Sequence, residues 1–210
     1  MIEEIFYKYN LHLKTSQVRI FEKFLDLFIK KNSQINLSAI RDKIWIIEKH
    51  FVDSIILNDF IKLNWKVLDI GTWWGFPGIP LAITNENVQF ILLDSTRKKI
   101  DSVNDFSSEL ELHNYIWIWW RAEELSSNIE YKWQFDFVVS RATAYFPQII
   151  ELSYPYLNKF WKMILYKLFN EEEINEGEKI LKKMWMKIID IKKYNIWEQE
   201  RILIFCWKCN

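Results

Sequence analysis

The sequence predicts an α/β fold: a mostly parallel, seven-stranded, doubly wound sheet with a helical N-terminal extension. Three observations carry that expectation. Short apolar runs at 67–70, 88–93, 115–118, 135–140 and 163–167 are mostly separated by helical patterns. Alternating strands and helices place the strands parallel, with right-handed crossovers between them. The first run leads at once into Gly71-Thr72-Trp73-Trp74-Gly75-Phe76-Pro77-Gly78, a strand, a glycine turn and a helix start of the kind that receives a nucleotide-like ligand. The residues before it read as helix. The expected organisation is an N-terminal helical extension over 1–64 and a sheet core over 65–210, forming one compact unit.

The elements follow in order. Val18, Phe21, Phe24, Leu25 and Phe28 recur at three- and four-residue spacing, with Glu22, Lys23 and Lys30 off the stripe, which makes one amphipathic helix. The polar connection 31–38 separates it from a second helical stretch at about 44–60, where Ile47, Phe51, Ser54 and Ile55 share a face. The five strand-like runs come next. Pro77 suits the first helical turn after the first of them. The last segments, about 185–192 and 201–206, are apolar enough to close the sheet as an antiparallel pair.

Composition sets the bounds. A chain of 210 residues, half of them apolar and 27% charged, can build one core. The 28 basic and 28 acidic residues cancel, so any nucleic-acid contact must come from a local basic face. Arg97-Lys98-Lys99 and the lysines at 159, 162, 182, 183, 187, 192 and 193 are candidates, with a solvated face as the alternative. The start, Met1-Ile2-Glu3-Glu4-Ile5, lacks the charged and apolar regions of a signal peptide, and no apolar run is long enough to span a membrane. A cytoplasmic, monomeric protein is expected. Cys206 and Cys209 form a lone Cys-x-x-Cys, and the three histidines are scattered, so no metal site is expected.

Glycine and tryptophan are both far from ordinary usage. At a glycine frequency of about 7% the chain should hold roughly 15 glycines; it holds 4, with 12 tryptophans. Trp65, Trp133, Trp161, Trp185 and Trp197 fall at strand entries and loops, where positive φ or close backbone approach favours glycine. Trp73 and Trp74 stand inside the glycine turn itself. The pattern reads as glycine codons translated in the wrong code: UGA is a stop in the standard code, tryptophan in one variant code and glycine in another. The other reading is a tryptophan-rich natural protein.

Four constellations carry chemistry. Asp69 ends the first strand, and Gly71 and Gly75 make the turn. Asp94 ends the second strand, at the spacing where an acidic residue accepts hydrogen bonds from ribose hydroxyls. Trp119-Trp120-Arg121-Ala122-Glu123-Glu124 follows the third strand, beside the ligand crevice of an open sheet, although acidic residues at a helix start read equally well as dipole partners. Arg141 closes the fourth strand, placed to contact a ligand edge or to form a surface ion pair. Asn36-Leu37-Ser38 and the helix face His50, Asp53, Ser54 are polar groups among apolar ones, as a site or as a hydrogen-bonding brace.

Asn-Leu-Ser-x-Ile-Arg, His-x-x-Asp-Ser, Leu-Asp-Ile-Gly-Thr-x-x-Gly-Phe-Pro-Gly-Ile-Pro-Leu-Ala, Leu-Leu-Asp-Ser, Arg-Ala-Glu-Glu and Ser-Arg-Ala occur in this order. Together they resemble the RsmG family of 16S ribosomal RNA methyltransferases, over essentially the whole chain. That family has Gly-Thr-Gly and a further small residue where Trp73 and Trp74 stand, and glycine where Trp120 stands. The resemblance implies a Rossmann-like methyltransferase fold and S-adenosylmethionine as cofactor. It implies methyl transfer to N7 of a guanine in the 530 loop of 16S ribosomal RNA, as free RNA or within a small-subunit particle. It places Gly71 and Phe76 at the cofactor turn, Asp94 at the ribose, Ala122 and Glu123 at the adenine, and Arg141 at the junction of cofactor and substrate. Asn36, His50 and Asp53 would organise the substrate side or brace the helical cap. The alternatives are a small-molecule methyltransferase and, if Trp73 and Trp74 are genuine, a non-catalytic Rossmann-like domain.

Overall fold

The computed structural model describes residues 1–141 and 144–209, with the side chains of all these but Ser107 and Phe160. Two helices open the chain: α1 (Ile2–Lys8) and α2 (Thr15–Ile35). The stripe expected on the longer one is real, for Val18, Phe21, Phe24, Leu25 and Phe28 are its buried residues. Gln17 accepts the Lys14 backbone N–H at its start. At its end Asn36 takes φ 54°, a left-handed cap that asparagine tolerates.

The helical stretch expected at about 44–60 is present, but its hydrogen-bond register changes along it: α3 (Lys43–Ile46), a π-helical turn Ile47–Val52, α4 (Asp53–Ile55) and a 3₁₀ turn Ile56–Asp59. Asp42 caps α3 by accepting from Trp45 N. The apolar periodicity was right, but the hydrogen-bond register within it depends on partners elsewhere in the chain.

The strand–helix alternation follows: β1 (Lys66–Ile70), α5 (Gly78–Thr84), β2 (Gln89–Asp94), α6 (Arg97–Leu110), β3 (Tyr115–Trp119), α7 (Ala122–Leu125), β4 (Phe135–Arg141), α8 (Phe146–Ser153), β5 (Leu157–Lys167), α9 (Glu171–Lys183), β6 (Met186–Ile196) and β7 (Gln199–Lys208). The sheet has seven strands in the order β3-β2-β1-β4-β5-β7-β6. β1 to β5 are parallel, β7 runs antiparallel to β5, and β6 and β7 form the closing antiparallel pair. The order reverses between β1 and β4, and at such a switch point the ends of the strands diverge and leave a crevice.

Burial explains the layers. Successive strand residues point to opposite faces. Val67, Phe90, Leu92, Phe137, Val139 and Ile164 face a core shared with Phe21, Phe24, Phe28, Phe51 and Phe76. Leu68, Ile91, Leu93, Val138, Met163 and Leu165 face a second core with Phe146, Ile149, Ile150 and Leu181. The N-terminal helices therefore cover one face of the sheet and share its core. Among the described residues no helix is long and apolar enough to cross a membrane.

Candidate active site

At the carboxyl end of β1 the chain turns under constraint from its neighbours. Gly71 N and Thr72 N both donate to Leu93 O, at 2.8 and 3.0 Å. Gly71 has φ 70° and Gly75 φ 93°. A Cβ added at Gly75 would lie 2.3 Å from Ile79 Cδ1, so both conformation and space require glycine there. The Phe76–Pro77 peptide bond is cis. Asp69, fully buried, closes the turn from below: its Oδ2 accepts from Gly78 N at 2.9 Å. Burial pushes this carboxyl up to about 7, and its Oδ1 has no hydrogen-bond partner.

Asp94, at the end of β2, points into the same space. Its two oxygens accept from Trp73 N at 3.1 Å and Thr96 N at 2.8 Å, and Lys99 Nζ lies 3.6 Å from Oδ2. A crevice of about 350 Å³ opens here, at the low end for small-molecule sites. Gly71, Trp73, Phe76, Asp94 and Lys99 line it on one side. Ile40, Lys49, His50, Asp53, Arg141 and Arg201 line it on the other.

The second wall rests on Asp53. This carboxylate is completely buried, and a buried charge persists only when paired and hydrogen-bonded. Its Oδ2 accepts from Arg141 Nη1 at 3.1 Å and Arg201 Nη1 at 2.9 Å, and its Oδ1 from the Tyr194 hydroxyl at 2.9 Å. Arg141 also donates to the carbonyls of Lys49 and His50 and to Ser54 Oγ, each at 3.3 Å. Its guanidinium lies 5.2 Å from the centroid of the Phe76 ring. Those carbonyls belong to the π-helical turn Ile47–Val52, a local irregularity of the kind found at functional sites.

His50 is buried and stacked on Phe76, with centroids 5.0 Å apart and planes at 23°. Its Nε2 is 3.3 Å from Ser38 Oγ, and Nδ1 has no partner. Burial first, and the Arg141 charge second, hold its pKa well below the usual range. It is a neutral imidazole in the folded protein.

The residues expected at the site fall into three groups. Gly71, Phe76, Asp94, Arg141, His50 and Asp53 are brought together around one crevice. Ala122 and Glu123 begin α7 directly after β3, beside Asp94 through the Trp120 N to Asp94 O bond of 3.2 Å; they stand at the strand ends but outside the crevice lining. Asn36 is exposed and is not among the residues lining the crevice. It caps α2 and accepts from Arg41, while its neighbour Asn32 holds the following loop through Ile40 O and Ser38 N.

Sequence reading missed Lys49, Ile40 and Arg201. Arg201 carried a signal, since like Arg141 it is a lone arginine beside a run of buried strand residues. The basic candidates are also sorted by strand register. Lys162 pairs opposite Trp207, and Trp207 opposite Lys187, in the middle of β5 and four residues before Tyr166, the partner of Arg141 at the crevice. Lys192 and Lys193 pair opposite Leu203 and Ile202, near Arg201, on the crevice side. Cys206 and Cys209 are free thiols, and no cluster of metal-ligating residues exists among the described residues.

Comparison with known proteins supplies the remaining findings. The model of a family described as "GidB: rRNA small subunit methyltransferase G" matches residues 17–201. A ribosomal RNA small subunit methyltransferase G from Lachnoclostridium phytofermentans is 37% identical over 200 residues, covering 93% of this chain and 83% of that one. The one from Clostridium tetani is 39% identical over 184 residues, covering 86% and 77%. Among solved structures, a SAM-dependent methyltransferase from Aquifex aeolicus superposes with a TM-score of 0.60 at 15% identity, covering 85% of this chain and 97% of that one. The M. capricolum TrmK complex with S-adenosyl-homocysteine gives 0.60 at 16% identity, covering 74% and 67%. At these identities the structural likeness is one of fold.

Proposed function

The chain belongs to the rRNA small subunit methyltransferase G family, and from that premise we propose that it methylates N7 of a guanine in the 530 loop of 16S ribosomal RNA. It is an S-adenosylmethionine-dependent methyltransferase of small-subunit ribosomal RNA. The base, the ring nitrogen and the cytoplasm as its place of work are our reading. One observation carries it: a single crevice at the switch point joins the glycine turn and Asp94 to a cationic wall of Lys49, Arg141 and Arg201.

The polar groups of the crevice fit the cofactor. Asp94 is a carboxylate acceptor for ribose hydroxyls, and the turn at Gly71 brings backbone close to a ligand. The indole of Trp73 takes up part of the same space. Asp94 and Gly71 would hold the ribose and amino-acid portions, and Ala122 and Glu123 the adenine edge. When bound, S-adenosylmethionine supplies an electrophilic methyl group on a sulfonium sulfur.

The residues around the crevice suit a nucleophile that needs no base. Guanine N7 has an in-plane lone pair and no proton, so no deprotonation is required. Burial and the neighbouring Arg141 charge make His50 a weak base, and Arg141 is committed to Asp53 and to two carbonyls. Neither is suited to remove a proton. What these side chains supply is placement: Phe76 and Ile40 exclude water, and a rigid wall fixes the approach of the base. Lys49 and Arg201 give phosphates of an incoming strand their counter-charges. The base must be splayed out of folded RNA to enter.

The test is methyl transfer from labelled S-adenosylmethionine to unmodified small-subunit RNA and to small-subunit particles, with the product base mapped. A 7-methylguanosine in the 530 loop is expected, and methylation at another ring position or another loop would overturn the assignment. Asp94→Ala should weaken cofactor binding about 10- to 100-fold, as loss of a charge-assisted hydrogen-bond acceptor does. Calorimetric titration of this variant measures it.

A further inference from the structure

Eight non-glycine residues among those described have positive φ, and five of them are tryptophans: Trp65 (51°), Trp73 (57°), Trp133 (59°), Trp185 (57°) and Trp197 (57°). The other three are Asn10, Asn36 and Glu111. Asparagine visits this region because its short side chain bonds locally. Tryptophan has no such compensation, and a bulky residue there is an outlier.

Each of the five sits at a junction that calls for glycine for its own reason. The carbonyl of Trp65 accepts from Gln89 N at 2.8 Å and leads the chain into β1. Trp73 is in the ligand turn, between Gly71 and Gly75. Trp133 N donates to Pro155 O at 2.9 Å across the loop before β4. Trp185 is the residue just past the end of α9, where glycine is most enriched. Trp197 is the first of the two residues joining β6 to β7, a position that favours glycine in tight hairpins.

The side chains give an independent sign. Tryptophan is highly buried on average and its N–H finds a partner when buried. Here Trp65 is 69% exposed and Trp185 75%. Trp74 and Trp207 present buried indole nitrogens without any hydrogen-bond partner. The backbone at the five junctions has the conformation of glycine; the rings of Trp65 and Trp185 gain little there, while those of Trp73, Trp133 and Trp197 find ring neighbours in His50, Tyr154 and Trp45.

We infer that Trp65, Trp73, Trp133, Trp185 and Trp197 stand where the cell that owns this gene places glycine, through a UGA codon that is glycine in its code and tryptophan in another. One reassigned codon accounts for the five backbone outliers, the scarcity of glycine and the excess of tryptophan together. The inference does not depend on the methyltransferase reading, because strand entries, helix ends and hairpins need glycine whatever the crevice binds. Its consequence for the crevice does rest on that reading. The Trp73 ring packs edge-on to His50, with centroids 5.5 Å apart, and its removal widens the crevice beside Asp94.

The test has two parts. The codons at the five positions are read, and the protein purified from its own cells is digested and its peptides weighed. UGA codons with glycine-bearing peptides are expected; UGG codons, or tryptophan in those peptides, overturn the inference. Next, the full chain as written is compared with one carrying Trp65→Gly, Trp73→Gly, Trp133→Gly, Trp185→Gly and Trp197→Gly. The substituted chain should unfold at higher urea concentration and bind S-adenosylmethionine at least tenfold more tightly. An unchanged or lower unfolding midpoint overturns the backbone argument. A higher midpoint with no cofactor binding upholds the glycine inference and removes the cofactor reading instead.

Discussion

Asp69 shows how one buried carboxylate couples the cofactor turn to pH. Its folded-state pKa of about 7 exceeds the unfolded value of about 3.9, so the folded protein binds this proton more tightly. The resulting stability is fully present below pH ~4 and is lost as pH rises through ~7, and at most it amounts to about 4 kcal/mol. His50 works in the opposite sense. Its folded pKa is lowered by burial, so its contribution is present above the unfolded value of about 6.5 and declines as pH falls below it. The two slopes oppose one another between about pH 4 and 7. Denaturation curves of the parent and Asp69→Asn across this range separate them. The advantage of the parent over the variant should shrink steadily as pH rises, and a constant difference would show that Asp69 does not hold a proton at neutral pH.

The π-helical turn Ile47–Val52 is the element on which the Asp53 wall of the crevice depends. Its carbonyls at Lys49 and His50 find donors in Arg141, a residue 92 and 91 positions further along the chain. The Ser54 hydroxyl also donates to His50 O. A guanidinium can serve these acceptors and Asp53 together because its donors form a planar fork, whereas lysine offers a point charge on a flexible stem. Arg141→Lys should therefore cost about 1–3 kcal/mol of stability through acceptors left unpaired and should loosen His50 from Phe76. Urea denaturation measures the first effect, and the titration shift of His50 followed by NMR measures the second. Retained stability would mean that water replaces the arginine at the turn.

Across the whole molecule Asp53 ties the two ends of the chain together. Arg141 comes from the sheet centre, while Tyr194 and Arg201 come from the β6–β7 pair at the far edge. Removing the carboxylate would leave two guanidiniums facing each other, with side chains only 8% and 21% exposed. Breaking a buried ion pair from one side typically costs about 3–5 kcal/mol. Asp53→Ala should show that loss, together with faster amide exchange in β6 and β7 than in β1 and β2. Uniform exchange across the sheet would show that the carboxylate does not anchor the C-terminal strands. At this scale the charge balance also matters. With 28 basic and 28 acidic residues the molecule has no net attraction for RNA, so attraction has to come from a local basic face.

The local pattern was enough to determine the strand–helix alternation, the parallel sheet, the glycine turn after β1 and the placing of Asp94 and Arg141 at strand ends. Periodicity and glycine spacing are properties of neighbouring residues, and they survive without knowledge of the fold. The shortage of glycine and the placing of tryptophan were equally legible, because backbone conformation at a turn is set within a few residues. What only the tertiary structure decided was long-range. Arg201 joins the crevice from the last strand because β7 lies against β5. The helical stretch at 44–60 takes a π register in its middle, where Arg141 donates to the carbonyls of Lys49 and His50. Asn36 stays a helix cap because the loop after it is held by Asn32 instead. In each case the deciding partner lies in a different part of the fold or competes for the same bond, and local sequence pattern does not say which partner wins.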